Sequence, residues 1–367
     1  MNQIHPAPTT NGGVHIPPPL RVLQDMPAHW TNFKDATFDE AADRIVTAHK
    51  ADGESKDLPV MNLSTWGVVP VDGQFAMAPL GKQHGPKMLR ANAFSNLMTK
   101  LGAPTDFIRD RLPAPLQLAT TNWLLASQEK SQSALLRLRG EEITAVVSDR
   151  YCPIDNEELL ACVRDALVQQ NALGDVEVRS IATGLVDVVR LTFPSEQQAM
   201  KVGDVTALGL DISSSSFGKS AVHIRGILFR LVCLNGMRVQ ESAGSFSFRH
   251  VGDIDRMRAG IGEAIPSALA VARGTMARWK AAVNVMVNDV AAFIDSLRDL
   301  TQLEHKLVEE HVQRELHVPA LPEHAPLYEL LNGVTSAAQA LAPARRIEVE
   351  AMAGDLLVRH TSTGSAS

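Results

Sequence analysis

Aromatic residues are scarce in this chain: 11 Phe, 4 Trp and 2 Tyr make up 5% of 367 residues. With so few rings, most are expected in the core rather than lining a broad binding wall. Three cysteines, Cys152, Cys162 and Cys233, are too few for a disulfide framework and sit in apolar surroundings, as buried thiols do in a reducing compartment. No apolar run approaches the roughly 18 residues that a bilayer span requires. The opening stretch MNQIHPAPTTNGGVHIPPPL has neither the charged region nor the apolar region of a secretory signal. A cytoplasmic protein with no membrane association is therefore expected. Lys and Arg number 35 against 41 Asp and Glu, a net charge of −6, which excludes a histone-like basic protein but leaves room for a local basic stripe.

Recognisable catalytic and metal patterns are missing as well. The 12 histidines are scattered, with no HxxxH or CxxC pair, and His305 and His311 are six apart on one helical stretch and face differently. There is no GxSxG elbow. Asp253 and Asp255 have a spacing common in loops, and His223 on a strand reads as a packed or surface histidine before it reads as a base. No catalytic residue, metal or cofactor is expected, and a non-enzymatic role is favoured.

What is present is patterning. The expected class is α+β, a central antiparallel sheet of hairpins covered by helices and followed by one long helix. Residues 1–35, rich in Pro, Gly, Asn and Thr, read as a flexible arm. Residues 36–130 read as mostly helical, beginning at TFDEAADRIVTAHK behind a Thr37 cap, with a Gly-containing turn at Val71-Asp72-Gly73 between two short strands. In 131–260 the period shifts toward two. ALLRLRGEEITAVVSD, VEVRSIATGLVDVVRLTF and the pair DVTALGLDI/SAVHIRGILFRLV read as hairpins, and NEELLACVRDALVQ as a helix capped by Asn156. Arg150 and Tyr151 fall in the turn before that helix and read as structural. Across 261–318, apolar residues from Ile265 to Leu307 alternate steps of three and four, which predicts one helix of more than 30 residues. Residues 319–367 read as short helices and a disordered tail.

One motif tempts a phosphate reading. SSSSFGKS (213–220) ends like a P-loop, but that loop needs glycine where Ser213 stands and a helix afterwards; the branched residues that follow favour a strand. Small residues around Lys219 can still admit a phosphate to backbone amides. Across 204–258, Lys219, Arg225, Arg230, Arg238, Arg249, Arg256 and Arg258 face Asp204, Asp211, Glu241, Asp253 and Asp255. Phe217, Phe246 and Phe248 interleave with them, and cations with rings are what single-stranded nucleic acid asks for. The candidate DNA-binding set is Lys219, Arg225, Arg230, Arg238, Arg249, His250 and Phe217. A solvated edge over core phenylalanines is the plainer alternative.

SDRYCPIDNEELL (148–160) and GLDISSSSFGKSAVHIRGILFRLVCLNGM (209–237) resemble a family of phage- and plasmid-like proteins described as a domain of unknown function. The features that match are Ser148, Asp149, Arg150, Tyr151, Gly218, Cys233, Asn235, Gly236 and His250, within residues 60–300. Ser214-Ser215 stand where that family often has Asn, and Leu234 where it has Thr. This resemblance implies a mobile-element setting and assigns no catalytic residue. In architecture the chain is also similar to the single-strand annealing recombinases of phages, the RecT, Redβ and Erf type, which need no ATP and assemble as rings or filaments. The expectation is a non-catalytic single-stranded DNA-binding or annealing protein, homo-oligomeric, acting in recombination or DNA protection. Two alternatives stay open: a protein-interaction factor such as an inhibitor of host defence, and an enzyme taking a phosphate-containing ligand at Lys219.

Overall fold

The structure, a computed structural model, describes residues 17–81, 85–129, 132–231, 235–238 and 245–362. It divides into two compact units, and the second is interrupted in sequence by the first. The expected class is what is found: helices and antiparallel sheets, with a long helix after the second sheet. Cys233 lies outside the described residues, and Cys152 and Cys162 are free and half-buried.

The chain enters the second unit first, with strand β1 (His29–Ala36) and helix α1 (Phe38–Ala51). The flexible arm was expected to reach residue 35, but β1 pairs with a later strand over 29–36. Thr37 caps α1 as expected: its hydroxyl accepts from Glu40 N at 3.2 Å while the Glu40 carboxylate accepts from Thr37 N at 2.9 Å, a closed capping box.

The first unit holds β2 (Ser55–Val60), β3 (Trp66–Val71), β4 (Gln74–Pro79), β5 (Lys87–Leu89), α2 (Ala91–Lys100), α3 (Thr105–Arg111), α4 (Ala114–Ala126), β6 (Ala134–Arg139) and β7 (Glu142–Val147). Among the described residues, the region expected to be mostly helical carries more helix than strand, but four sheet-forming strands, β2 to β5, lie within it. Its short, Pro-containing strands carry no clean alternation, which hides them from a periodicity argument. The β3–β4 turn does sit at Asp72 and Gly73, both with positive φ (49° and 75°), the geometry that matches strand twist. The six strands run in the order β2-β6-β7-β5-β4-β3, all antiparallel neighbours except β5 and β7. Their core is built on Phe75, Met77, Leu89, Phe94, Leu97, Leu136 and Ile143. The hairpin β6–β7 thus belongs to this sheet, not to one continuous sheet over 131–260.

The second unit continues with α5 (Asn156–Gln169), β8 (Glu177–Thr183), β9 (Asp187–Lys201), β10 (Asp204–Ser214), β11 (Val222–Arg230), β12 (Asn235–Arg238), β13 (Ser245–Phe248) and α6 (Ile254–Ala282). The sheet order is β1-β8-β9-β10-β11-β12, with β13 also on β11. One face carries Val189, Leu191, Phe193, Leu208, Leu210, Ile212, Ile224 and Leu228, packed on α1, α5 and α6. Helix α6 comes so close that a Cβ on Gly226 would stand 2.7 Å from Ala272 Cβ and 2.8 Å from Ala268 O; glycine is what lets helix and strand meet. Asn156 does not cap α5. Asp155 precedes the helix without a side-chain cap bond, and Asn156 is buried in its first turn.

The expected helix over 265–307 is broken. Helix α6 starts 11 residues earlier, capped by Asp253, and spans 29 residues despite Pro266. Next come β14 (Met286–Val287), α7 (Val290–Asp295), α8 (Gln302–Leu316), β15 (Ala325–Pro326), α9 (Leu327–Ala338) and α10 (Pro343–Ser362). Asp289 accepts from Ala292 N at 2.8 Å and Thr301 from Glu304 N at 3.3 Å, so each cap starts a new helix where the apolar spacing alone runs on. Helix α10 is 20 residues long, not a short one.

Candidate functional site

The motif segments converge at one end of the second unit's sheet, around the loop from β10 to β11. Ser215 Oγ accepts from Phe217 N at 3.2 Å and from Lys219 N at 3.0 Å, and Gly218 takes φ 67°. A strand, not a helix, follows, so no helix dipole points at the loop and the P-loop reading fails. Phe217 is 1% exposed and stacks on the ring of His49, centroids 5.6 Å apart. It plugs the sheet end and offers no face to a base.

Beneath the loop, Tyr151 stacks on buried His250 at 5.0 Å and donates through its hydroxyl to Ser215 O at 3.3 Å. Cys152 N donates to His250 O at 2.8 Å. The turn before α5 is thereby tied to the loop and to the segment after β13, the structural role expected for Tyr151. His250, a candidate DNA contact, is a buried spacer here. His49 and Asp187 carry no sequence signal, being 138 residues apart, yet they meet at 2.8 Å. Asp187 also accepts from Asn156 Nδ2 at 2.8 Å and from Gly184 N at 3.2 Å. With its carboxylate spent on α1, α5 and the β8–β9 turn, the Asp–His pair fastens elements together and exposes no base.

The opposite face of the sheet is charged. Arg190 on β9 donates through Nε to Asp211 on β10 at 3.0 Å and through Nη1 to Glu350 on α10 at 2.9 Å, with no side-chain exposure. Arg238 donates to the other oxygen of Asp211, and Arg346 Nε to Glu350 at 2.9 Å. Trp30 of β1 lies under two guanidiniums, 4.7 Å from Arg190 and 4.0 Å from Arg346. Burial works against ionisation of Asp211, but the charges of Arg238 and Arg190 outweigh it and hold its pKa below the usual range. Burial, with Arg225 and Arg238, drives His223 down to about 4, so it is neutral near pH 7, and Arg225 Nη2 meets its Nδ1 at 3.3 Å.

These contacts sort the expected basic set. Arg238 is 1% exposed and bound to Asp211. Arg230 is held by Asp204 and by Glu315, each at 2.8 Å, and the Tyr328 hydroxyl donates to Asp204 at 2.9 Å. Arg225 is half-buried across from Asp211 in the β10–β11 register. Arg230, Arg238, His250 and Phe217 are therefore taken up by the fold. Lys219 and Arg249 are exposed, as is Arg256 on α6, and none of the three is in an ion pair among the described residues. The pairing Val222↔Phe248 brings Arg249 to the same end of the sheet as Lys219. Arg249 and Arg256 border a cavity of about 740 Å³ between the end of β13 and the start of α6, with Phe248, Asp253 and Glu263 also on its wall. The half-buried Phe248 ring lies against α6 at Gly260, where a Cβ would come within 2.4 Å of it. Among the described residues no group of three or more His, Cys, Asp or Glu could hold a metal ion, and no helix is long and apolar enough to cross a membrane.

The sequence model of the family described as Domain of unknown function (DUF932) matches residues 144–354. Comparison with curated proteins and with solved structures finds no match. The matched stretch includes Lys219, Arg249 and Arg256, but not His49, Trp30 or any residue of α4.

Proposed function

We propose that the chain, which belongs to the DUF932 family, is a non-catalytic single-stranded nucleic-acid-binding protein of a phage or plasmid that anneals or protects strands. The observation that carries this reading is the set of exposed cations Lys219, Arg249 and Arg256, none in an ion pair among the described residues, with Arg249 and Arg256 beside the half-buried ring of Phe248. Cations spaced along a sheet end follow a phosphate backbone, and a nearby ring gives a base something to stack on. Compared with the sequence reading, the contact set loses Arg225, Arg230, Arg238, His250 and Phe217 and gains Arg256 and Phe248.

The test is fluorescence anisotropy with single- and double-stranded oligonucleotides across a salt series. Each single-strand phosphate contact contributes about 0.7 to the log–log salt slope. Changing Lys219 and Arg249 together to Ala should weaken binding to every sequence and flatten the slope by about 1.4. An unchanged slope overturns the assignment of these two residues. The competing reading, a protein-interaction factor with no nucleic-acid binding, draws on the net charge of −6; absence of single-strand binding by the wild type at low salt decides for it.

A further inference from the structure

Helix α4 in the first unit leaves an apolar stripe on its outer side. Its buried positions are Gln117, Thr121 and Leu125. Gln117 accepts from Leu20 N at 2.6 Å and donates to Ile108 O at 3.1 Å and Arg109 O at 2.8 Å. Beside them, Asn122 accepts from Val68 N at 2.7 Å and donates to Val68 O at 3.0 Å, fastening α4 to the edge strand β3. The inward face thus mixes these polar groups with Leu125 and the half-buried Leu118 and Leu124, which pack on the core of this unit, and the buried Thr121 hydroxyl has no hydrogen-bond partner among the described residues. The outward stripe, in steps of three, four and three, is Leu116, Ala119, Trp123 and Ala126. All four are exposed, Leu116 at 52% and Trp123 at 68%, and no charged residue occurs anywhere in α4. An amphipathic helix normally turns such a stripe inward; an exposed apolar stripe marks a contact surface.

The geometry points to a second copy of this chain as the occupant, its α4 lying antiparallel on this one across a two-fold axis beside Thr121. The stripe is self-complementary about that residue. Leu116 and Ala126 lie five positions either side of it, and Ala119 and Trp123 lie two either side. An antiparallel pair therefore seats each Leu116 on an alanine of the other copy and each Trp123 on another. Large side chains over small ones let helices pack closely, and a two-fold contact is satisfied by one surface used twice. A parallel pair would set Trp123 on Trp123 and leave the alanines facing each other across a gap. Charge agrees with the antiparallel choice. Arg111 ahead of α4 and Glu129 after it are exposed, neither is in an ion pair among the described residues, and the antiparallel arrangement brings each to the other's counterpart.

The inference does not depend on nucleic-acid binding and is tested without it. Sedimentation velocity of the full chain should show a dimer. Trp123→Glu should weaken it at least about thirtyfold, the loss expected for an interface anchor. Ala119→Arg, a second exposed position, should do the same, with circular-dichroism melts of both variants unchanged. Arg111→Glu and Glu129→Arg should each weaken the dimer, and the two changes in one chain should restore it. A monomeric wild type at about 100 µM, a dimer untouched by Trp123→Glu, or a charge exchange that restores nothing overturns the pairing. A monomer that pellets with anionic lipid vesicles through Trp123 overturns it too, and assigns the stripe to lipid.

Discussion

Arg190 on β9 and Glu350 on α10 are 160 residues apart in the chain, yet they meet as a two-pronged ion pair with neither side chain exposed. Through this contact the last helix is locked to the polar face of the sheet. Among the described residues Asp211 and Glu350 are the two carboxylates serving Arg190, Arg238 and Arg346; Glu350→Gln removes one, and an unpaired buried charge costs about 3–5 kcal/mol. Urea unfolding should show a loss of that size. A loss below about 1 kcal/mol would mean that the cluster is hydrated and the lock is not real.

Phe217 separates the two readings of the loop. As the buried partner of His49, its replacement by Ala should lower stability by about 3–5 kcal/mol. Single-strand affinity of the protein that remains folded should stay as in the wild type. Lost affinity with unchanged melting would return Phe217 to the surface role that the sequence suggested.

His223 sets a pH dependence of definite sign. Its pKa falls from 6.5 to about 4 on folding, so between those values the unfolded chain binds more protons than the folded one. Stability therefore falls as pH drops through that window. His223→Gln should flatten the window and leave stability above pH 7 nearly unchanged. Denaturation midpoints measured at intervals from pH 7.5 to about 4 check this; an equally steep fall in the variant would place the titrating group elsewhere.

Glu304 adds a second dependence on the acid side. Hydrogen bonds from Arg345 and from the backbone of Thr301 hold its pKa near 2, below the ordinary 4.5. Its contribution is present above pH 4.5 and is lost as pH falls toward 2. Glu304→Gln should therefore lower the melting temperature at pH 6 and have no effect near pH 2. An equal effect at both values would leave packing, not charge, as the cause.

Local signals were legible where the chemistry is local. Thr37 and Glu40 announce α1, Asp72-Gly73 announces its turn, and the period-two runs announce β8 through β11. Strand β1 escaped because its eight residues carry no alternation and gain their order from β8, some 150 positions later. The cations misled for a related reason. Arg238 sits on a strand face opposite the core residues Ile224 and Leu228, but alternation cannot say whether another layer covers that side. Arg230 lies on the same side as Ile224 and Leu228, where Glu315 of α8 and Asp204 of β10 take it up, and Arg238 is taken up by Asp211 of β10. The stripe past Ala282 misled because packing on one common core preserves helical spacing across three separate helices. The exposed stripe of α4 was visible as composition, an uncharged helix between Pro113 and Glu129, but only the structure says which side faces water.

The interrupted order of the second unit bears on how a minimal fragment can be cut. A piece starting at residue 144, where the family match begins, would discard β1 and α1. Strand β8 would then present a bare row of backbone donors and acceptors, the kind of edge that recruits strands from other molecules. Asp187 would lose His49, and Arg190 would lose the indole beneath it. Such a fragment is expected to aggregate, whereas one that carries residues 25–54 on a short flexible tether into residue 150 keeps the sheet closed.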